Sequence, residues 1–208
     1  MGHPLCDRYP DLEFNDPKSI HEPRRLLLLP GSRVKELSRH LPAMVEAAKA
    51  VKAEPLIVLS DESLAAQARL LAPEVADWDI QIGELEKALS RADVAIASSG
   101  TVTLECAWFR VPTVVLYKTS WITYLLGRLF IRVKHIAMPN VMAEREVFPE
   151  FIQSAATGEN LAHEANGFLN DSHRRVELRE QLDVIADSLG GKGAANRAAR
   201  SIIRLLDN

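Results

Sequence analysis

The sequence predicts an α/β fold in which helices cover both faces of a parallel sheet. The first observation is a series of short, wholly or almost wholly apolar runs, such as "LLLL" at 26–29 and "DVAIA" at 93–97. Such runs are typical of strands buried on both faces. The second observation is that segments with apolar residues at helical spacing follow these runs, beginning with residues 34–51. Strand and helix in alternation indicate a doubly covered, Rossmann-like parallel sheet.

The same alternation continues along the chain. After the strand at 26–29, we predict strands at 56–60, 78–82, 93–97 and 113–118, and a short last strand at 135–140. We predict helices at 62–71, 84–92, 101–109 and 121–131, with helical structure from 159 to 206. Because proline removes a helical hydrogen bond, we expect Pro42 to kink or split the first helix.

Composition narrows the class of protein. The 208 residues are 47% hydrophobic and 25% charged, with a net charge of -3, which gives no field that would attract nucleic acid. The two cysteines, Cys6 and Cys106, make no disulfide framework, so we expect a reduced, cytoplasmic protein, with Cys106 in the core. The histidines have no metal-ligand spacing, and we predict neither a metal nor a cofactor.

The amino-terminal stretch, residues 1–25, differs from the rest. It holds four prolines and many charges without a clear period. We interpret it as a linker or extended lead-in, and we expect another domain to precede it. Residues 26–158 would form the ligand-binding domain, and residues 159–208 would be helices that pack on it or cross to the missing domain.

In a parallel sheet, ligands bind beyond the carboxyl ends of the strands. Two loops there have suitable residues. In the Gly100 loop, Ser98–Thr101, glycine permits close approach and a helix start offers backbone N–H groups, so we predict a phosphate site at Ser99, Gly100 and Thr101. Glu105 follows one helical turn later and suits ribose hydroxyls. The alternative is an ordinary capped helix with an exposed glutamate.

A second loop favours the nucleotide interpretation. In the Arg33 loop, Pro30–Arg33, the backbone of Gly31 and Ser32 offers donors, and Arg33 offers a planar cation matched to phosphate. The alternative is a solvated arginine at a helix start. The chain has neither G-x-G-x-x-G nor G-x-x-x-x-G-K-[ST], which argues against enzymes that bind NAD and against P-loop ATPases.

The chain resembles the lipid-A-disaccharide synthase family, glycosyltransferases of the two-domain GT-B architecture. The matching stretches, in order, are "GHPLCD" (2–7), "LLLLPGSRVKEL" (26–37), "ASSGTVTLE" (97–105), "VPTVVLYKTSWITYLLGRL" (111–129) and "MPNVMAEREVFPEFIQ" (138–153). The resemblance implies transfer of diacylglucosamine from its UDP derivative to diacylglucosamine 1-phosphate, a step of lipid A and lipopolysaccharide biosynthesis. Because "GHPL" lies mid-chain in the family, the resemblance also implies that this chain is the donor-binding, carboxy-terminal half.

Carried over to this sequence, the resemblance assigns site residues. Arg33, with Gly31 and Ser32, would meet the donor diphosphate, and Glu105 would hold the ribose. Asn140 would lie near the donor and, with Arg33, act in catalysis. Glu144 and Arg145 are further substrate-binding candidates. The missing domain would supply the acceptor side and the general base.

Two questions stay open at the level of sequence. The segment 121–135 combines an apolar face with a basic end, which fits either a buried helix or contact with the inner face of the bacterial inner membrane. The function alternatives are another GT-B-like enzyme acting on UDP-N-acetylglucosamine (a peptidoglycan glycosyltransferase or an epimerase) and a non-catalytic nucleotide-binding module.

Overall fold

A computed structural model describes residues 2–9, 23–121, 124 and 134–206. Its centre is one six-stranded sheet with the order β3-β2-β1-β4-β5-β6, in which every strand pair is parallel. The strands are β1 Arg25–Leu29, β2 Glu54–Leu59, β3 Asp79–Ile82, β4 Val94–Ser98, β5 Thr113–Tyr117 and β6 Glu150–Ile152. The predicted Rossmann-like fold class is therefore confirmed.

Helices connect the strands and cover the sheet. They are α1 Leu5–Arg8, α2 Val34–Ala50, α3 Glu62–Leu71, α4 Leu85–Leu89, α5 Val102–Trp108, α6 Met138–Ala143, α7 Gly158–Asn170, α8 Ser172–Ser188 and α9 Ala194–Leu206. Short 3₁₀ turns lie at Pro73–Asp77 and Gln153–Ala155. None of the helices within these described ranges is both long enough and apolar enough to cross a lipid bilayer.

The central strands account for the apolar runs. In β1, Leu26, Leu27, Leu28 and Leu29 are all buried, and Leu28 pairs with Ile57 on one side and Ile96 on the other. Side chains of successive residues in a strand point to opposite faces, so both faces of the sheet are covered. The core continues into α5, where Cys106 is fully buried as predicted.

Two predicted elements differ from the structure. Residues 135–140 do not form the last strand: Met138–Ala143 is a helix with proline in its first turn, a favoured position because the missing N–H has no helical partner there. The sixth strand is Glu150–Ile152, which pairs with β5. In addition, Pro42 does not split α2, which runs as one helix: Leu41 and Met44 are buried, and the helix packs along α7. A kink at Pro42 stays a prediction.

The amino-terminal segment 2–9 is packed structure rather than an extended lead-in. Leu5, Cys6 and Tyr9 are buried in the core. The backbone N–H of His3 donates to the carbonyl of Leu189 at 2.7 Å. The carboxylate of Asp7 accepts from backbone N–H groups at the start of α9, including that of Ala195 at 2.9 Å. The segment therefore joins the core around the sheet to the carboxy-terminal helices.

The predicted helix at 121–131 and the basic end of the segment 121–135 lie largely outside the described residues. The membrane interpretation of that segment stays a prediction.

Candidate functional site

A cleft of about 650 Å³ opens at the carboxyl ends of β1, β2 and β4 and at the loop that follows β3. This is the edge at which the parallel sheet was expected to bind a ligand. The cleft is lined by residues of both predicted loops and by the predicted ribose-binding glutamate: Gly31, Ser32, Arg33, Ser99, Gly100, Thr101 and Glu105. The fold therefore brings together predicted site residues that lie up to 74 positions apart, from Gly31 to Glu105.

The Arg33 loop has a charged partner of its own. Gly31 has φ +116°, and a Cβ atom there would lie 2.6 Å from Oε2 of Glu36, so glycine is required. Oε2 of Glu36 accepts from the backbone N–H of Ser32 at 3.1 Å. Oε1 accepts from Arg33 at 3.1 Å, while 79% of the Arg33 side chain is exposed. The Glu36 carboxylate thus contacts the same donors that the sequence assigns to phosphate.

The Gly100 loop uses part of its polar groups for structure. The backbone N–H of Ser99 donates to Leu116 at 3.1 Å, and its hydroxyl donates to the carbonyl of Ile136 at 2.9 Å. Gly100 has φ +155°, and a Cβ added there would meet no atom within 4 Å. The backbone N–H groups of Thr103 and Leu104, in α5, donate to the carbonyls of Gly100 and Thr101 at 3.1 and 3.0 Å. The Gly100 and Thr101 backbone lines the cleft, and none of the described residues accepts a hydrogen bond from its two N–H groups.

Glu105 reaches the cleft from inside the protein. Its side chain is only 10% exposed, and Oε1 accepts from the Arg8 guanidinium and from the Tyr9 hydroxyl, both at 2.8 Å. Tyr9 is buried, and its ring meets that of Phe109 edge-on with centroids 5.0 Å apart. Burial, and then the hydrogen bond to Glu105, raise the pKa of Tyr9 well above its ordinary value. Tyr9 is therefore a neutral donor.

Asn140 does not lie at the cleft, although we predicted that it would lie near the donor. It is fully buried and is not among the residues that line the cleft. Its Oδ1 accepts from the backbone N–H groups of Val147 and Phe148, and its Nδ2 donates to the carbonyl of Phe148 and to Glu150. The side chain thus fixes the turn between α6 and β6, and its catalytic role stays a prediction.

Glu144 and Arg145 follow α6 on the surface. Both are exposed, neither lines the cleft, and Glu144 ends the helix in a left-handed conformation with φ +53°. The geometry of the cleft therefore gives no support for their role in substrate binding, which stays a prediction.

His40 connects two strand ends behind the cleft. It is buried, with Nδ1 2.8 Å from the carbonyl oxygen of Pro30 and Nε2 3.1 Å from the backbone nitrogen of Lys118. The carbonyl can only accept and the N–H can only donate, so the ring is neutral with its proton on Nδ1. Burial lowers the pKa of His40, which agrees with this state. His40 fixes the Arg33 loop relative to the end of β5.

Sequence reasoning missed several residues of the cleft. Arg8 and Glu36 carry the ion pairs to Glu105 and Arg33, and Glu84 and Glu86 line the side formed by α4. The signal for Glu36 was present, because a glutamate three residues after Arg33 in the first turn of a helix is well placed to pair with it. Arg8 gave no such signal, since it lies 97 positions from Glu105. The described residues contain no group of three or more histidine, cysteine, aspartate or glutamate side chains that could hold a metal ion.

Solved structures show where this fold occurs. The O-GlcNAc transferase of Thermobaculum terrenum matches 90% of this chain and 36% of its own, with a TM-score of 0.52 and 18% identity. MurG of Acinetobacter baumannii matches 86% of this chain and 53% of its own, with a TM-score of 0.52 and 16% identity. The fold is thus the Rossmann-like domain found in GT-B glycosyltransferases.

Sequence comparison gives the family. The family model described as lipid-A-disaccharide synthetase matches residues 1–202. The lipid-A-disaccharide synthase of Syntrophus aciditrophicus (strain SB) is 35% identical across 99% of this chain, and that of Solibacter usitatus (strain Ellin6076) is 34% identical across 100%. The chain belongs to the lipid-A-disaccharide synthase family. It spans 57% of the length of each of these two relatives.

Proposed function

We propose that this chain is the donor-binding half of a hexosyltransferase of lipid A biosynthesis. The whole enzyme would condense UDP-2,3-diacylglucosamine with 2,3-diacylglucosamine 1-phosphate to give lipid A disaccharide phosphate and UDP. The observation that carries the proposal is the cleft. Arg33, the Gly100 loop and Glu105 line it together at the carboxyl edge of the sheet, in a chain of the lipid-A-disaccharide synthase family.

In this arrangement the two loops share the donor diphosphate, and Glu105 takes the ribose. The Arg33 guanidinium is exposed at the cleft and can turn from Glu36 to a diphosphate, where charge-assisted hydrogen bonds are strongest. The Gly100 and Thr101 backbone N–H groups would meet the same diphosphate. Glu105 would accept hydrogen bonds from the ribose hydroxyls. These groups steady UDP as it leaves, which lowers the barrier of the reaction.

The acceptor and the general base belong, in this proposal, to the part of the relatives that this chain does not span. Sugar transfer needs the acceptor hydroxyl held in attack geometry and a group that takes its proton. In the proposed arrangement the cleft residues have other tasks, since Arg33 and the Gly100 loop hold the diphosphate and Glu105 holds the ribose.

Titration calorimetry with UDP and with NAD tests the nucleotide assignment. The chain should bind UDP and not NAD, because its loops lack the glycine pattern of dinucleotide sites. Equal binding of the two, or no binding of UDP, would contradict the proposal.

An assay with UDP-diacylglucosamine and the acceptor 1-phosphate tests the division between halves. We expect no disaccharide from the 208-residue chain alone and turnover when an amino-terminal half of the family is added. Turnover by the chain alone would show that acceptor site and base are already present here.

We also propose that the segment 121–135 contacts anionic membranes, which the acylated substrates require. Sedimentation with anionic vesicles should pull down the chain, and changing Arg128, Arg132 and Lys134 to glutamate should abolish this without changing UDP binding. Failure of the parent chain to sediment would contradict this proposal and favour the alternative, a buried helix.

A further inference from the structure

The amino-terminal segment 2–9 enters the donor site through two neighbouring residues. Arg8 lines the cleft, and Tyr9 lies directly beneath it with only 3% of its surface exposed. Both donate to the same oxygen, Oε1 of Glu105. Among the described residues, no hydrogen bond reaches Oε2 of this carboxylate. Within the part of the chain that the structure describes, Oε1 is therefore held and Oε2 is open to a ligand.

The two donors differ in how firmly they hold Glu105. The Arg8 side chain is 62% exposed, so its ion pair is screened by water and contributes little. Tyr9 is rigid by comparison, because its ring is packed edge-on against Phe109, at an interplanar angle of 80°. A buried phenol with a raised pKa stays protonated, so its O–H always points at an acceptor, and Glu105 is that acceptor.

We propose that Tyr9 is a positioning residue of the donor site, which orients the Glu105 carboxylate toward the two ribose hydroxyls of a uridine nucleotide. The inference rests on the proposed function and adds to it a residue from outside the strand-to-helix loops. Without the Tyr9 hydroxyl, Glu105 can rotate about its side-chain bonds, and the pair of hydroxyls loses a fixed acceptor. Recognition of ribose then depends on a residue 96 positions away from the glutamate that makes the contact.

The test compares UDP with 2′,3′-dideoxy-UDP, which lacks both ribose hydroxyls, on the whole chain. Tyr9→Phe keeps the ring and its packing and removes only the donor. It should weaken UDP binding about tenfold, the loss typical of one hydrogen bond to a charged group. Affinity for dideoxy-UDP should not change. Tyr117→Phe is the matched control, because Tyr117 ends β5 outside the cleft and loses the same hydroxyl.

A double-mutant cycle shows whether Tyr9 acts through Glu105. In a Glu105→Ala background, Tyr9→Phe should cost no further UDP affinity, because the group that it orients is gone. Additive losses, equal losses for UDP and dideoxy-UDP, or a Tyr9→Phe chain that fails to fold would each overturn the inference, since the hydroxyl would then serve the core. If the parent chain binds UDP and Tyr9→Phe binds it equally well, only this inference fails. If the parent chain binds no UDP, the proposed function fails with it.

Discussion

Two parts of the chain carry polar motifs that the sequence marks equally as site candidates, and the structure uses them in opposite ways. The Gly100 loop and Glu105 open onto the cleft, where Gly100 leaves free space beside its backbone. Asn140, in the other motif, is 0% exposed, and its side chain hydrogen-bonds to backbone groups of its own turn. A polar motif can therefore line an open cleft or bond to the chain itself, depending on whether the backbone already supplies its partners.

Asn140→Ala should give the largest effect, and it should be an effect on stability. The change leaves two backbone N–H groups and one carbonyl without their partner, so the free energy of unfolding should fall by about 3 kcal/mol or more. Urea unfolding measures this. If the free energy of unfolding stayed the same while UDP affinity fell tenfold or more, Asn140 would belong to the site. Its contrast with the Gly100 loop would then be wrong.

Arg33→Ala should act on affinity rather than on stability. Loss of a charge-assisted phosphate contact should cost about 1.5–3 kcal/mol of binding free energy for UDP and for pyrophosphate alike. Calorimetry with both ligands is the measurement. Arg145→Ala is the matched change in the other region, where the arginine is exposed away from the cleft. An equal loss from Arg145→Ala would place both motifs in one site.

Glu105→Ala should separate the nucleoside from the phosphates. UDP binding should weaken by about 1–2 kcal/mol through loss of the ribose contacts, while pyrophosphate affinity stays nearly unchanged. The same titrations test this, with Arg33→Ala as the contrasting variant. Equal loss of both ligands in both variants would show that the division of roles between Arg33 and Glu105 is wrong.

His40 is a buried polar residue bonded to the start of the Arg33 loop, and it should give the smallest effect, visible as a pH dependence of stability. Because its pKa is lowered in the folded protein, the unfolded chain takes up the proton more readily. The stability from neutral His40 is therefore present above about pH 6.5 and lost as pH falls through the lowered pKa, with a slope of at most about 1.4 kcal/mol per pH unit.

Unfolding midpoints between pH 5 and pH 8 measure this slope. A His40→Gln chain lacks the titrating ring, so its profile should be flatter than that of the parent. Glu36 and Lys118 are the charged neighbours of the ring, and both stay in place in the His40→Gln chain. Identical profiles for the two chains would show that His40 does not link the Arg33 loop to β5.

The sequence was sufficient for the first five strands of the sheet and for the loops that line the cleft, because apolar runs and helical periods are local. It placed Arg33 and Glu105 at one edge, and the structure brings both into the cleft. It could not predict the contact between Tyr9 and Glu105, because the two residues lie 96 positions apart and no local pattern connects them. It also took the stretch around Asn140 for a strand, because short apolar runs fit strand and helix alike, and only the bonds to residues 147–150 decide between them.

Under the proposed function, the Glu36 carboxylate makes the Arg33 loop a site of exchange rather than a vacant site. Its two oxygens already satisfy the Ser32 N–H and the Arg33 guanidinium, so an incoming anion replaces hydrogen bonds instead of adding them. A ligand with a single negative charge gains little from such a replacement, because it offers the loop no more than the resident carboxylate does. A diphosphate brings more charge and more acceptor oxygens, and in the proposed arrangement it also meets the Gly100 backbone, which lines the same cleft. Glu36 thus sets a threshold of charge and reach, below which the loop prefers its own glutamate.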